Sequence, residues 1–127
     1  MGIGDWGITY VNTDWSYLLV DSIGDNGYYK EHRILGMNST GVTNMERFDY
    51  CGSILIGTIP LFDTTALTNV VQMFYSCYNV EGGALALYQQ MSAQANVPSY
   101  HNGCFDDCGY DTQTGSAELA QIPNDWK

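Results

Sequence analysis

The chain repeats itself, and this limits its fold more than any other property. Residues 34–45 can be laid over residues 59–70 at a constant offset of 25. Identical or similar residues then fall at Ile34/Ile59, Asn38/Asp63, Ser39/Thr64, Thr40/Thr65, Val42/Leu67, Thr43/Thr68, Asn44/Asn69 and Met45/Val70. A second element follows each block: Phe48 with Cys51, then Phe74 with Cys77, one position beyond the same offset. A third copy, Phe105 with Cys108, follows after a longer interval. Ile-Pro also recurs, at Ile59-Pro60 and Ile122-Pro123. Two aligned blocks in one order, at one period, describe units that cannot each bury an apolar face alone and must stack.

A period of 25 lies within the range of roughly 20–29 residues of leucine-rich repeats. Val42, Met45 and Phe48 stand at helical spacing, as do Leu67, Val70, Val71 and Phe74. Thr43 with Glu46 has the form of a capping box. Each unit therefore reads as a short helix, a turn with Cys, and a short strand (Ile54-Leu55-Ile56, then Val80). Residues 84–95 have high helix propensity and no breaker, and a second helical turn is expected near 116–120. Residues 81–127 thus read as the last repeat plus a cap. Residues 1–33 do not follow the period: 8–11 and 15–20 read as strands, and 24–27 as a turn before Tyr28-Tyr29. The predicted fold is α/β: a short leucine-rich-repeat-like solenoid of about three units. It has an N-terminal β segment (1–33, a cap or docking piece) and a helical C-terminal cap (within 34–127).

Composition narrows the partners. The chain has 127 residues, enough for one domain with its own core. It carries 14 acidic residues against Lys30, Arg33, Arg47 and Lys127, a net charge of −10. The four cations form no cluster, which argues against nucleic acid as a partner. No apolar run reaches the roughly 20 residues of a membrane span. The first residues lack the basic n-region and continuous apolar h-region of a signal peptide, and Trp at position 6 breaks the myristoylation pattern.

The two units resemble the BspA-type leucine-rich repeat. The match lies in Val42, Thr43, Asn44, Met45, Phe48 and Cys51, and in Phe62, Asp63, Thr64, Thr65, Leu67, Thr68, Asn69, Met73, Phe74 and Cys77. The first unit lacks the second Met of the family pattern. The ending, from Gly83 to Tyr88, at Cys108-Gly109, and from Ala117 to Pro123, is similar to gut-phage relatives. The resemblance covers about 34–127. It implies a surface protein of bacteria or a tail or fibre protein of a phage. A short array without a secretion signal favours the virion surface over an extracellular cell-surface location.

The cysteines are read first as structure. Cys51, Cys77 and Cys108 share one repeat position and would form a ladder of buried thiols, about 4.8 Å apart. Cys104 lies outside it. His101, Cys104 and Cys108 lack the second close ligand pair that zinc favours; Asp106, Asp107 or His32 would have to complete the set. A Cys104 pair with His101 or His32 has no accompanying oxyanion motif. The stretch 21–27, and Asp106-Asp107 with Asp111, are loose beside a calcium loop and read as solvated turns. Neither a metal nor a cofactor is expected.

Aromatic residues carry the binding hypothesis. Tyr50, Tyr75, Tyr78, Tyr100 and Tyr110 flank the Phe-x-x-Cys turns, and Asp49, Asp106 and Asp107 lie among them. Tyr combines area, stiffness and a hydroxyl. The competing reading is that several of these rings pack between units. Together these features predict a non-enzymatic recognition or structural protein, such as a fibre tip, tail or decoration component. Its partners would be a host glycan or protein and other virion proteins, with self-association through 1–33. A bacterial adhesion module is the nearest alternative, and a small Cys- or metal-dependent enzyme is the alternative of another class.

Overall fold

The backbone hydrogen bonds show how the repeat is used. In this computed structural model, which describes residues 4–9, 12–19, 31–50 and 54–127, the repeat offset is a hydrogen-bonding register. Asp14, Asn44, Asn69 and Tyr100 are joined in series by parallel bridges. Met45 N donates to Asn69 O, Arg47 N to Val71 O and Asp49 N to Met73 O. One turn further on, Val70 N donates to Tyr100 O, Gln72 N to Asn102 O and Phe74 N to Cys104 O. Strand and bridge pairing among the described residues is parallel, because each turn runs in the direction of the one before. Parallel neighbours need long connections, and the repeat length supplies them.

Regular structure is sparse. Strands β1 (Gly4–Thr9), β2 (Glu31–Asn38) and β3 (Ile54–Leu55) form one parallel sheet in that order. Strands β4 (Gly57–Thr58) and β5 (Val80–Gly82) form a second. Helix α1 is Ala84–Ala93, α2 is Gln113–Leu119, and a 3-10 turn, Asn124–Trp126, ends the chain. No helix among the described residues is long and apolar enough to cross a membrane.

This corrects the expected leucine-rich-repeat-like solenoid. The described residues form a small α/β structure with two helices and two small parallel sheets. The short repeat helices do not form. Segments 42–48 and 67–74 are turns, because the backbone passes into the left-handed region at Arg47 (φ 50°) and Gln72 (φ 52°). Their amides reach neighbouring turns rather than the carbonyl four residues back. The capping box does not form either: Thr43 Oγ1 donates to Thr13 O, and Glu46 accepts from Asn69 Nδ2. The periodic apolar residues are nonetheless inside. Val42, Met45, Phe48, Leu67, Val70 and Phe74 are buried.

At the N-terminal end, β1 covers Ile8 and Thr9 of the expected first strand. Residues 15–19 turn instead of extending, with Tyr17 left-handed at φ 58°. The expected turn at 24–27 and Tyr28-Tyr29 lie outside the described residues. Strand β2 crosses the 33/34 boundary and pairs with β1. The two C-terminal helices are formed. Ala84, Leu87 and Met91 are the buried face of α1. Tyr88 packs edge-on against Trp126, with ring centroids 5.3 Å apart.

Gly83 precedes α1 at φ 98° and has no side chain to cap it. Glu118 of α2 does this instead, accepting from Gly83 N (3.0 Å) and Leu85 N (3.2 Å). Those amides are the donors a helix start leaves unsatisfied. A Cβ at Gly83 would strike the Ile59 backbone. Gly83→Ala should therefore destabilise the fold by about 2–4 kcal/mol, combining strain and collision. Gly36→Ala, which would meet no atom within 4 Å, should stay within about 0.5 kcal/mol of the parent. Urea unfolding midpoints of the two variants check this.

Candidate functional site

The turn after Phe105 and helix α2 meet at close range. Gly109, at φ 81°, lies against Gly115 of α2 and the Val80 carbonyl, where a Cβ would not fit. Thr112 fastens the junction: its Oγ1 donates to Val80 O (2.6 Å) and accepts from Gly115 N (3.0 Å). Two walls result, and between them lies an open cleft of about 440 Å³. Asp106, Asp107 and Tyr110 line one side, and Ser116, Leu119 and Ala120 the other, with Lys127 also in the lining. Lys127 Nζ donates to the Leu119 carbonyl at 2.8 Å.

Charge and exposure in the cleft are uneven. Asp106 is half-buried, and its carboxyl is pushed above its ordinary value of 3.8 by burial and then by Asp107. Tyr110 is 61% exposed and meets Tyr78 edge-on, with centroids 6.5 Å apart. The cleft thus offers two carboxylates, a standing aromatic face and a partly apolar wall.

The expected site residues separate into groups. Asp106, Asp107 and Tyr110 share the cleft, with Tyr78 beside them. Tyr50 and Tyr75 form a different pair, stacked at 4.8 Å and 11°, beside Arg47. Tyr100 is 65% exposed, and its backbone bridges Asn69. Asp49 departs from the expected surface stripe. It is 1% exposed, with Oδ2 2.8 Å from His32 Nε2. The backbone register explains why: it sets Asp49 opposite Phe74, a core position. Ser116, Leu119, Ala120 and Lys127 were not expected. Their approach depends on how α2 folds back, which no local pattern announces.

The cysteine arrangement bears on the enzyme alternative. Cys104 and Cys108 are buried free thiols and Cys77 is also buried, while Cys51 lies outside the described residues. Burial pushes Cys104 well above the ordinary thiol value, with Cys108 adding to the shift. Cys108 is raised as well, again first by burial. A catalytic thiol needs the opposite shift and access to water. His101 stacks on Trp126 at 4.1 Å and 4°, and its Nδ1 donates to the Asp125 carbonyl. Among the described residues, no group of three His, Cys, Asp or Glu side chains could hold a metal ion.

Comparisons with protein-family models, curated proteins and solved structures find no match to this chain. The BspA-type resemblance therefore rests on its motif residues alone.

Two outcomes test this site. Iodoacetamide at pH 8 should leave Cys104 and Cys108 unmodified in the folded protein and alkylate them in urea, as read by peptide mass spectrometry. Asp106 provides a pH test. Its raised carboxyl favours the protonated folded state, a contribution present below pH 3.8 and lost as pH rises through the folded value. Asp106→Asn should therefore stabilise the protein slightly at pH 7, by no more than about 0.5 kcal/mol because the group is partly hydrated. The gain should vanish at pH 3, which urea midpoints at the two pH values will show.

Proposed function

We propose that the protein is a non-enzymatic recognition module that binds a host-surface saccharide in the cleft between the 106–110 turn and α2. The observation that carries this reading is the convergence of Asp106, Asp107 and Tyr110 opposite Leu119 and Ala120. Paired carboxylates accept hydrogen bonds from neighbouring sugar hydroxyls, as charge-assisted bonds of the stronger kind. An exposed Tyr face covers the apolar side of a ring and adds a hydroxyl. The close packing of Gly109 on Gly115 supports a preformed cleft, which lowers the ordering cost of binding. A setting on a virion surface, beside other virion proteins, draws only on the BspA-type resemblance.

Glycan-array screening of the whole chain, followed by titration calorimetry on the best ligand, tests the proposal. Tyr110→Ala and Asp107→Asn should each weaken binding about tenfold, the range of a central aromatic or charged contact. Both should unfold at the parent midpoint. A silent array, or variants that bind like the parent, would overturn the reading.

A further inference from the structure

A second constellation lies on Tyr17, Arg47 and Gln72, none of which lines the cleft. These residues occupy one position on three successive turns, at φ 58°, 50° and 52°. A left-handed backbone is uncommon outside glycine and strained for larger side chains. The fourth turn places Gly103 there, at φ 63°. Glycine therefore fits the position, yet three turns keep large polar side chains. Those side chains meet. Arg47 Nη1 donates to Tyr17 Oη at 3.0 Å, and Arg47 Nε donates to Gln72 Oε1 at 2.7 Å. The guanidinium also lies 5.7 Å from the Tyr17 ring centroid and 5.2 Å from that of Tyr50, which stacks on Tyr75.

Holding the rungs together would explain two of the guanidinium's five N–H groups. Three are left without an acceptor among the described residues. No carboxylate pairs with Arg47 there, although the chain has 14 acidic residues. The adjacent Glu46 is already engaged by Asn69 Nδ2 at 3.0 Å. A half-buried guanidinium fixed by two neighbours, framed by aromatic rings and left with forked donors is arranged to take a planar oxyanion in two parallel bonds.

We propose that Arg47, oriented by Tyr17 and Gln72, is a binding site for the single carboxylate of an acidic sugar. The net charge of −10 repels polyanions such as acidic peptides at long range. It tolerates one carboxylate on an otherwise neutral body, and the neutral-polar and aromatic neighbours of Arg47 suit such a body. This site shares no residue with the cleft, so the two readings stand or fall separately.

Heteronuclear NMR titration with glucuronate, with glucose as the neutral control, tests the proposal on the whole chain. Glucuronate should shift the Arg47 Nε and Tyr50 signals and bind at least tenfold more tightly than glucose, with affinity falling as salt rises. Arg47→Met should abolish this preference. Gln72→Glu, nearly isosteric, should do the same by presenting an internal carboxylate to the guanidinium, and it covers the case in which Arg47→Met fails to fold. In a Tyr110→Ala background, which removes the aromatic face of the cleft, the Arg47 Nε and Tyr50 shifts should persist. Equal binding of glucose and glucuronate, or undiminished binding by a folded Gln72→Glu protein, would overturn the proposal. So would tighter binding of a Glu-rich peptide than of glucuronate.

Discussion

Parallel backbone pairing between successive turns is the constraint on which the rest of this protein depends. Each turn donates amides to the next, and the register holds from Asp14 through Asn44 and Asn69 to Tyr100. An aromatic column fills the space this leaves. Trp15, Phe48, Phe74 and Phe105 are fully buried, with successive ring centroids 6.0, 6.0 and 6.3 Å apart. That spacing is within the range of favourable aromatic contact. The turns need little helix or sheet because their amides are satisfied laterally, and burial of the column provides the driving force.

The same register places a charge-bearing pair in the core. The step from Phe48 to Phe74 is one position longer than the backbone register, so Asp49 takes the rung that Phe74 and Phe105 fill elsewhere. His32 of β2 meets it, and Cys77 Sγ donates to the Asp49 carbonyl at 3.2 Å. Buried polar pairs seldom add stability over an apolar core of equal volume, but losing one partner strands the other. The pair ties β2 to the turn that carries Arg47 and Tyr50, and so links the first sheet to the aromatic array.

Much of the core was legible in the sequence, and much of the backbone was not. The repeat period located the buried Val42, Met45, Leu67 and Val70, but the solenoid it suggested is not what the described residues form. It failed on conformation, because apolar residues at i, i+3 and i+6 suit a helix and an irregular turn equally well. What separates the two is a positive φ at Arg47 and Gln72, residues whose own preferences do not announce it. The helix at 84–93 was readable because propensity and burial agree there; of the helix at 113–119 only a turn near 116–120 was expected, because its buried residue is Gly115, which propensity disfavours. Of the candidate surface residues, Asp106, Asp107 and Tyr110 converge, Tyr50 and Tyr75 stack on each other, and Asp49 turns inward. Sequence shows that these residues share a side of a repeat, but not which way each one faces. Tyr17, Arg47 and Gln72 could have been grouped beforehand only by carrying the period back from Arg47 to Tyr17, an interval longer than the repeat, where the period is broken.

The thiols have a consequence for the history of the molecule. Cys77, Cys104 and Cys108 are sealed among side chains, and burial holds Cys104 and Cys108 protonated. Thiol–disulfide exchange proceeds through an accessible thiolate. While folded, Cys104 and Cys108 are therefore insulated from the redox poise of the solution around them. The same folded structure can pass from a reducing compartment into an oxidising one without new cross-links at these positions. Nothing in that part of the core has to be built twice.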